Sequence, residues 1–142
     1  MTLEQKIAQL FLARCPESQA VELLSQYQLG GYMLYNRDFH NRTREEVIEN
    51  IQSYQKAVTI PMLIAVDEEG GSVMRLGNNS EMGITAIPSM ESVGDTEDIS
   101  QAYRVGNTIG SEISQLGFNL DFAPVADVNS NCLLYTSDAA DD

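Results

Sequence analysis

Asp67 and Arg75 are the residues of this chain whose types and spacing best suit binding chemistry. They stand eight positions apart in the run Ile60-Pro-Met-Leu-Ile-Ala-Val-Asp-Glu-Glu-Gly-Gly-Ser-Val-Met-Arg-Leu76. A carboxylate only accepts hydrogen bonds and a guanidinium only donates them. Held at one pocket mouth, the two divide the hydroxyls of a sugar between acceptor and donor. The residues Met62 to Val66 are all apolar, with no polar alternation. That pattern suits a strand covered on both faces, as in a parallel sheet. Asp67 follows at the strand's carboxyl end, where α/β proteins gather their ligand sites. Gly70-Gly71 then allows a sharp turn or a close backbone approach.

Plainer roles stand beside these. An acid at a strand end also caps turns, and Arg75 also suits an ion pair with Glu68 or Glu69. Glu68 and Glu69 look like a pair of catalytic carboxylates, but neighbours on an extended strand point to opposite faces. They are read as shaping the loop and orienting Arg75. Asp127, at the exit of a later strand, is read as a structural hydrogen-bonding residue rather than a member of the pocket rim. His40, the only histidine, lies in a loop and is discounted as a base. Asp67, Glu69 and Asp127 lack calcium-loop spacing and a histidine cluster, so no metal and no cofactor are expected.

The elements that must position Asp67 and Arg75 are helices alternating with strands. Thr2-Leu-Glu-Gln5 has capping-box form, and Leu3, Ile7, Leu10 and Phe11 follow at helical spacing. A second helix is expected over Glu17 to Gln28, ended by Gly30 or Gly31 in a left-handed conformation. Tyr32 to Tyr35 reads as the first strand, with residues 36–41 as its polar outgoing loop. Thr43-Arg-Glu-Glu46 caps a third helix whose Val47, Ile51, Tyr54 and Val58 share a face. Residues 68–95 form a long loop region of the kind that often carries function. Ile99, Ala102, Ile109, Ile113 and Leu116 mark a fourth helix, stopped by Gly117. Gly106 and Gly110 within it are read as close-packing positions. Phe118 to Ala123 is the next strand, ended by Pro124. The order argues for parallel strands and right-handed crossovers, and by pattern alone permits an open sheet or a barrel.

The chain has 142 residues and a formal net charge of −13. Such an acidic surface repels phosphate backbones, so no nucleic-acid partner is expected. No apolar run approaches the ~18 residues needed for a membrane span. No signal peptide is visible, and localisation and oligomeric state are not readable from the residues.

Four segments together resemble the N-terminal barrel domain of glycoside hydrolase family 3. They are Met1-Thr-Leu-Glu-Gln-Lys-Ile-Ala-Gln-Leu-Phe11, Leu29-Gly-Gly-Tyr-Met-Leu-Tyr-Asn36, the Asp67 segment, and Gly117-Phe-Asn-Leu-Asp-Phe-Ala-Pro-Val-Ala-Asp-Val128. They occur in the family's order and at its spacing. The Asp67 loop is most similar to the bacterial β-N-acetylhexosaminidase branch, although Glu68 (often Gln) and Ser72 (often Arg) depart from the commonest form. The resemblance selects a (β/α)8 TIM barrel, of which this chain would hold about three N-terminal β/α units. It implies a carbohydrate substrate, with Asp67 accepting hydrogen bonds from the terminal sugar and Arg75 assisting.

For the whole protein the resemblance implies retaining hydrolysis, with an aspartate nucleophile and a separate acid/base group. Neither is matched in residues 1–131, so no catalytic residue is expected in this segment, which alone should be inactive and should expose strand edges. The alternatives are a β-glucosidase or β-xylosidase of the same family, and a non-catalytic sugar-binding relative. Residues 132–142, Cys-Leu-Leu-Tyr-Thr-Ser-Asp-Ala-Ala-Asp-Asp, leave the family pattern and resemble a translated transposase sequencing adaptor. They are read as a non-native tail, and Met1 as a position that lies inside longer family members. Without that tail the balance is 18 acids to 8 bases, or −10. Cys15 is then the single cysteine, which gives no disulfide framework.

Overall fold

A computed structural model of the chain describes residues 1–126. Asp127, Cys132 and the 132–142 tail lie outside them. Four strands form one parallel sheet: β1 (Leu12–Arg14), β2 (Gly31–Met33), β3 (Leu63–Val66) and, numbered by chain order, β6 (Leu120–Asp121), in the spatial order β1-β2-β3-β6. Helices fill the connections, α2 (Ala20–Tyr27) after β1, α4 (Arg44–Lys56) after β2 and α6 (Ile99–Leu116) before β6. Three β/α units followed by a further strand is the layout of a barrel's opening portion.

The caps read from the sequence are formed. Thr2 and Thr43 both make capping boxes, the first on α1 (Leu3–Ala8) with Gln5 and the second on α4 with Glu46. Gly117 ends α6 in a left-handed conformation at φ 101°. The core lies between the sheet and α2, α4 and α6. Tyr32 meets Tyr54 edge-on at 5.6 Å, and Phe39 meets Phe118 at 5.9 Å. Leu24, Ile51, Ile64, Val66 and Leu116, all at or below 2% exposure, fill the space between.

Four expectations are corrected. The first strand is β1, before the expected Tyr32 to Tyr35 strand. Helix α1 stops at Ala8, and only three residues pair with β2, too few to show alternation. Gln28, not a glycine, ends α2 in the left-handed region at φ 52°. Its side chain compensates, donating to the carbonyls of Leu24 and Ala57 and accepting the Thr59 N–H. Gly30 and Gly31 serve close approach instead. A Cβ on Gly30 would sit 2.2 Å from the Gln9 carbonyl oxygen, and one on Gly31 would sit 2.5 Å from that of Leu63. The segment after β2 is not an open loop but a short helix, α3 (Asn36–Phe39), anchored by buried Phe39. Gly106 and Gly110 border an open cleft rather than a packed contact, and nothing lies within 4 Å of a Cβ built on either.

Residues 68–95 carry structure of their own. β4 (Glu68–Gly70) and β5 (Val73–Met74) pair antiparallel around a glycine turn, with Gly70 and Gly71 at φ 91° and 61°. Their missing Cβ atoms matter as well, because Pro88 and Ser89 close on this turn to within 2.6 and 2.9 Å of where they would stand. A 3-10 turn (Ser80–Met82) and α5 (Met90–Gly94) follow. β1 and β6 form the two edges of the sheet, and Leu3, Ile7, Leu10, Phe11, Leu63 and Phe122 are exposed.

Candidate functional site

Asp67 directly follows Val66, the last residue of β3, and its side chain is 16% exposed. The β4–β5 hairpin doubles back over the strand end, so Arg75 returns to meet it. Arg75 Nη2 lies 3.4 Å from Asp67 Oδ2, with the Arg75 side chain 18% exposed. The two residues singled out by type and spacing are thus brought together at the carboxyl end of the parallel sheet. Both are largely withdrawn from water, which strengthens their action on a polar ligand. Among the described residues no three His, Cys, Asp or Glu side chains form a group suited to a metal ion.

The hairpin owes its shape to Glu68, 1% exposed and the one buried charged residue of the described core. Its carboxylate accepts the Leu76 N–H at 2.8 Å and the Gly77 N–H at 3.3 Å. Burial pushes its pKa up, and these N–H donors oppose the shift. Two orphan donors and one buried acid satisfy each other here. The segment that carries Arg75 is thereby fixed to the start of β4.

Asp121, at the end of β6, ties the same residue from the other side. Its Oδ1 accepts the Glu68 main-chain N–H at 2.9 Å. Burial first, and the nearby charge of Asp67 as well, push its pKa up to about 6. Sequence reading placed Asp121 in a strand without assigning it a role. The available signal was an acid two residues after Asn119 in the expected strand Phe118 to Ala123. Tyr35 and Arg14 were missed too. Tyr35 leaves β2 with its N–H held by Asp38 at 2.8 Å. Its ring has the Arg14 and Arg75 guanidinium carbons 5.1 and 5.8 Å from its centre. His40 is exposed and lies away from this cluster, against Asn78 and Asn79.

This arrangement offers acceptors (Asp67), fixed planar donors (Arg75) and an aromatic ring (Tyr35) along one rim. That combination grips a polyhydroxylated ring, with hydroxyls shared between carboxylate and guanidinium and an apolar sugar face set near an aromatic one.

The family model for the glycosyl hydrolase family 3 N-terminal domain matches residues 2–137. A β-hexosaminidase of Haemophilus influenzae is 39% identical over 120 residues, covering 82% of this chain and 32% of that protein. β-Hexosaminidase A of Pseudoalteromonas piscicida is 34% identical over 113 residues, covering 78% of this chain and 19% of the relative. A solved family 3 β-N-acetylglucosaminidase from Paenibacillus superposes with a TM-score of 0.80 at 32% identity, covering 92% of this chain and 25% of that one. The chain therefore spans about a third or less of the length of these relatives.

Proposed function

Because the chain belongs to glycosyl hydrolase family 3, we propose that it is the substrate-binding opening portion of a retaining exo-glycosidase, a β-N-acetylhexosaminidase acting on N-acetylglucosamine-containing glycans. The observation that carries this reading is the Asp67–Arg75 pair, 3.4 Å apart at the carboxyl end of β3. In the proposed role Asp67 accepts hydrogen bonds from hydroxyls of the terminal sugar. Arg75 fixes the carboxylate and donates to the same ring. Such contacts lower the barrier only as far as they tighten in the transition state. The names carried by the relatives support the choice of an N-acetylated amino sugar over a plain glucoside.

The nucleophile and the acid/base group are assigned to the part of the protein beyond residue 131, so residues 1–131 alone are inactive. Residues 132–142 are read as a non-native tail, a point tested by re-amplifying and sequencing the gene from source DNA.

The functional test is Asp67→Ala in the full-length protein, assayed on a chromogenic aryl N-acetyl-β-glucosaminide. Loss of a charged hydrogen-bonding group is expected to weaken transition-state binding by roughly 2–4 kcal/mol, lowering kcat/KM by about 30- to 1,000-fold with little change in folding. A parent active on this substrate whose Asp67→Ala variant keeps near-normal kcat/KM would refute the role.

A further inference from the structure

β6 grips the backbone on both sides of Asp67. Before it, the Val66 carbonyl accepts the Phe122 N–H at 2.9 Å. After it, the Glu68 N–H donates to Asp121 Oδ1, also at 2.9 Å. The paired register of β3 and β6 ends at Val66 and Asp121, so a side chain makes the second bond where the main-chain ladder has run out. The two peptide planes that flank a residue fix its φ and ψ between them, and the direction of its Cα–Cβ bond follows. With both planes held, only side-chain torsions are left to the Asp67 carboxylate.

Asp121 exerts this hold from the opposite face of the sheet. It stands abreast of Val66, whose side chain is buried in the core packed by the helices. Asp67 is the next residue along and points the other way by alternation. Asp121 thus lies behind the strand from a sugar bound at Asp67, and acts there through the main chain. An aspartate suits the task because both its oxygens accept, and once ionised it makes the stronger, charge-assisted bond. The titratable groups that face it are Asp67 at the end of β3 and Glu68 and Glu69 of β4. From α5 and α6 it meets the uncharged Met90, Val93, Ala102, Val105 and Ile109. Burial, opposed by the Glu68 N–H and reinforced by the charge of Asp67, places its titration at about 6. The hold on the Glu68 N–H therefore strengthens as pH rises through that value.

We propose that Asp121 is a positioning residue for the glycosidase reaction, the group on β6 that aims the Asp67 carboxylate at the sugar by holding the peptide that follows it. The inference rests on the saccharide reading of Asp67.

The test is a double-mutant cycle in the full-length protein, read as kcat/KM on a chromogenic aryl N-acetyl-β-glucosaminide and as Tm. Asp121→Ala alone should lower kcat/KM about 10- to 100-fold, the effect of a misplaced binding group. In an Asp67→Ala background no carboxylate is left to aim, and the same change should lower kcat/KM by less than about twofold more. Asp121→Asn keeps an oxygen for the Glu68 N–H and gives a readout that does not depend on the alanine variant folding. The ratio of parent to asparagine-variant kcat/KM should rise about fivefold between about pH 5 and 7.5, as the parent's bond gains its charge. Glu68 is present in both proteins, so the ratio isolates the Asp121 carboxyl. Parental kcat/KM in the folded variants at every pH, losses that simply add in the double variant, or a ratio that stays flat with pH would each overturn the assignment. An Asp67→Ala variant as active as its parent would instead sink the saccharide reading, and this inference with it.

Discussion

Replacing Glu68 by alanine should disable the site without touching either residue of the Asp67–Arg75 pair. Glu68 is 1% exposed, and its carboxylate is the acceptor for the Leu76 and Gly77 N–H groups. Leu76 is 0% exposed, so its N–H, once stripped of its acceptor, finds no water; an unsatisfied buried donor costs about 1–3 kcal/mol. Gly77 is exposed, and water replaces its partner at little cost. The one lost side-chain methylene adds about 0.8 kcal/mol. Removing a buried charge, whose raised pKa records its desolvation, works in the opposite direction. The net expectation is a destabilisation of about 2 kcal/mol, or a Tm lower by roughly 4–8 °C in a domain of 150–250 residues. Arg75 immediately precedes Leu76, so its approach to Asp67 should loosen, and a misplaced binding group lowers kcat/KM by about 10- to 100-fold. Glu68→Gln retains the shape and one acceptor and should lie close to the parent in both measurements. Thermal unfolding and steady-state kinetics on one preparation of the full-length protein suffice. An alanine variant with unchanged Tm and unchanged kcat/KM would refute the argument that Glu68 holds the hairpin.

Two further outcomes are expected. Asp121 has its folded pKa raised to about 6 from 3.8. Its stabilising contribution is therefore complete below about pH 4 and is lost as pH rises through about 6. Asp121→Asn keeps an oxygen for the Glu68 N–H and should gain stability relative to the parent between pH 4 and 8, by about 1 kcal/mol once partial solvent screening is allowed for. Denaturant titrations at both pH values check this, and a constant difference between the proteins would contradict it. Cys15 is buried, and burial pushes its thiol up to about 11. Alkylation of Cys15, followed by peptide mass spectrometry, should be at least about 100-fold slower at pH 8 in the native protein than in denaturant. Equal rates would show that the β1 region opens freely.

Much of the scaffold was legible because its signals are local. Thr2 and Thr43 advertise helix starts through a partner three residues on, Gly117 marks a stop, and the unbroken apolar run before Asp67 marks a covered strand. The Asp67–Arg75 meeting was legible as well, since both residues flank one glycine turn. What escaped depends on distance in the sequence. β1 exists because β2 lies beside it, and Leu12–Arg14 is too short to show a period. Gln28 takes a backbone conformation usually left to glycine because Ala57 and Thr59, some thirty residues away, engage its side chain. Asp121 acquires its role from Glu68, 53 positions earlier. Arg14 and Tyr35 meet only because parallel pairing stacks the ends of their strands.

Asn119 gives the sheet an internal ruler. Its side-chain oxygen accepts the Ile64 N–H at 2.8 Å, its side-chain amide donates to the Met62 carbonyl at 3.0 Å, and its own main-chain N–H bonds the Ile64 carbonyl at 3.1 Å. A slip of β6 by one position would break all three bonds together and turn every β6 side chain to the opposite face. The amide at the foot of the strand therefore sets the height at which Asp121 stands level with Val66, and a choice made at the floor of the sheet governs alignment at its mouth.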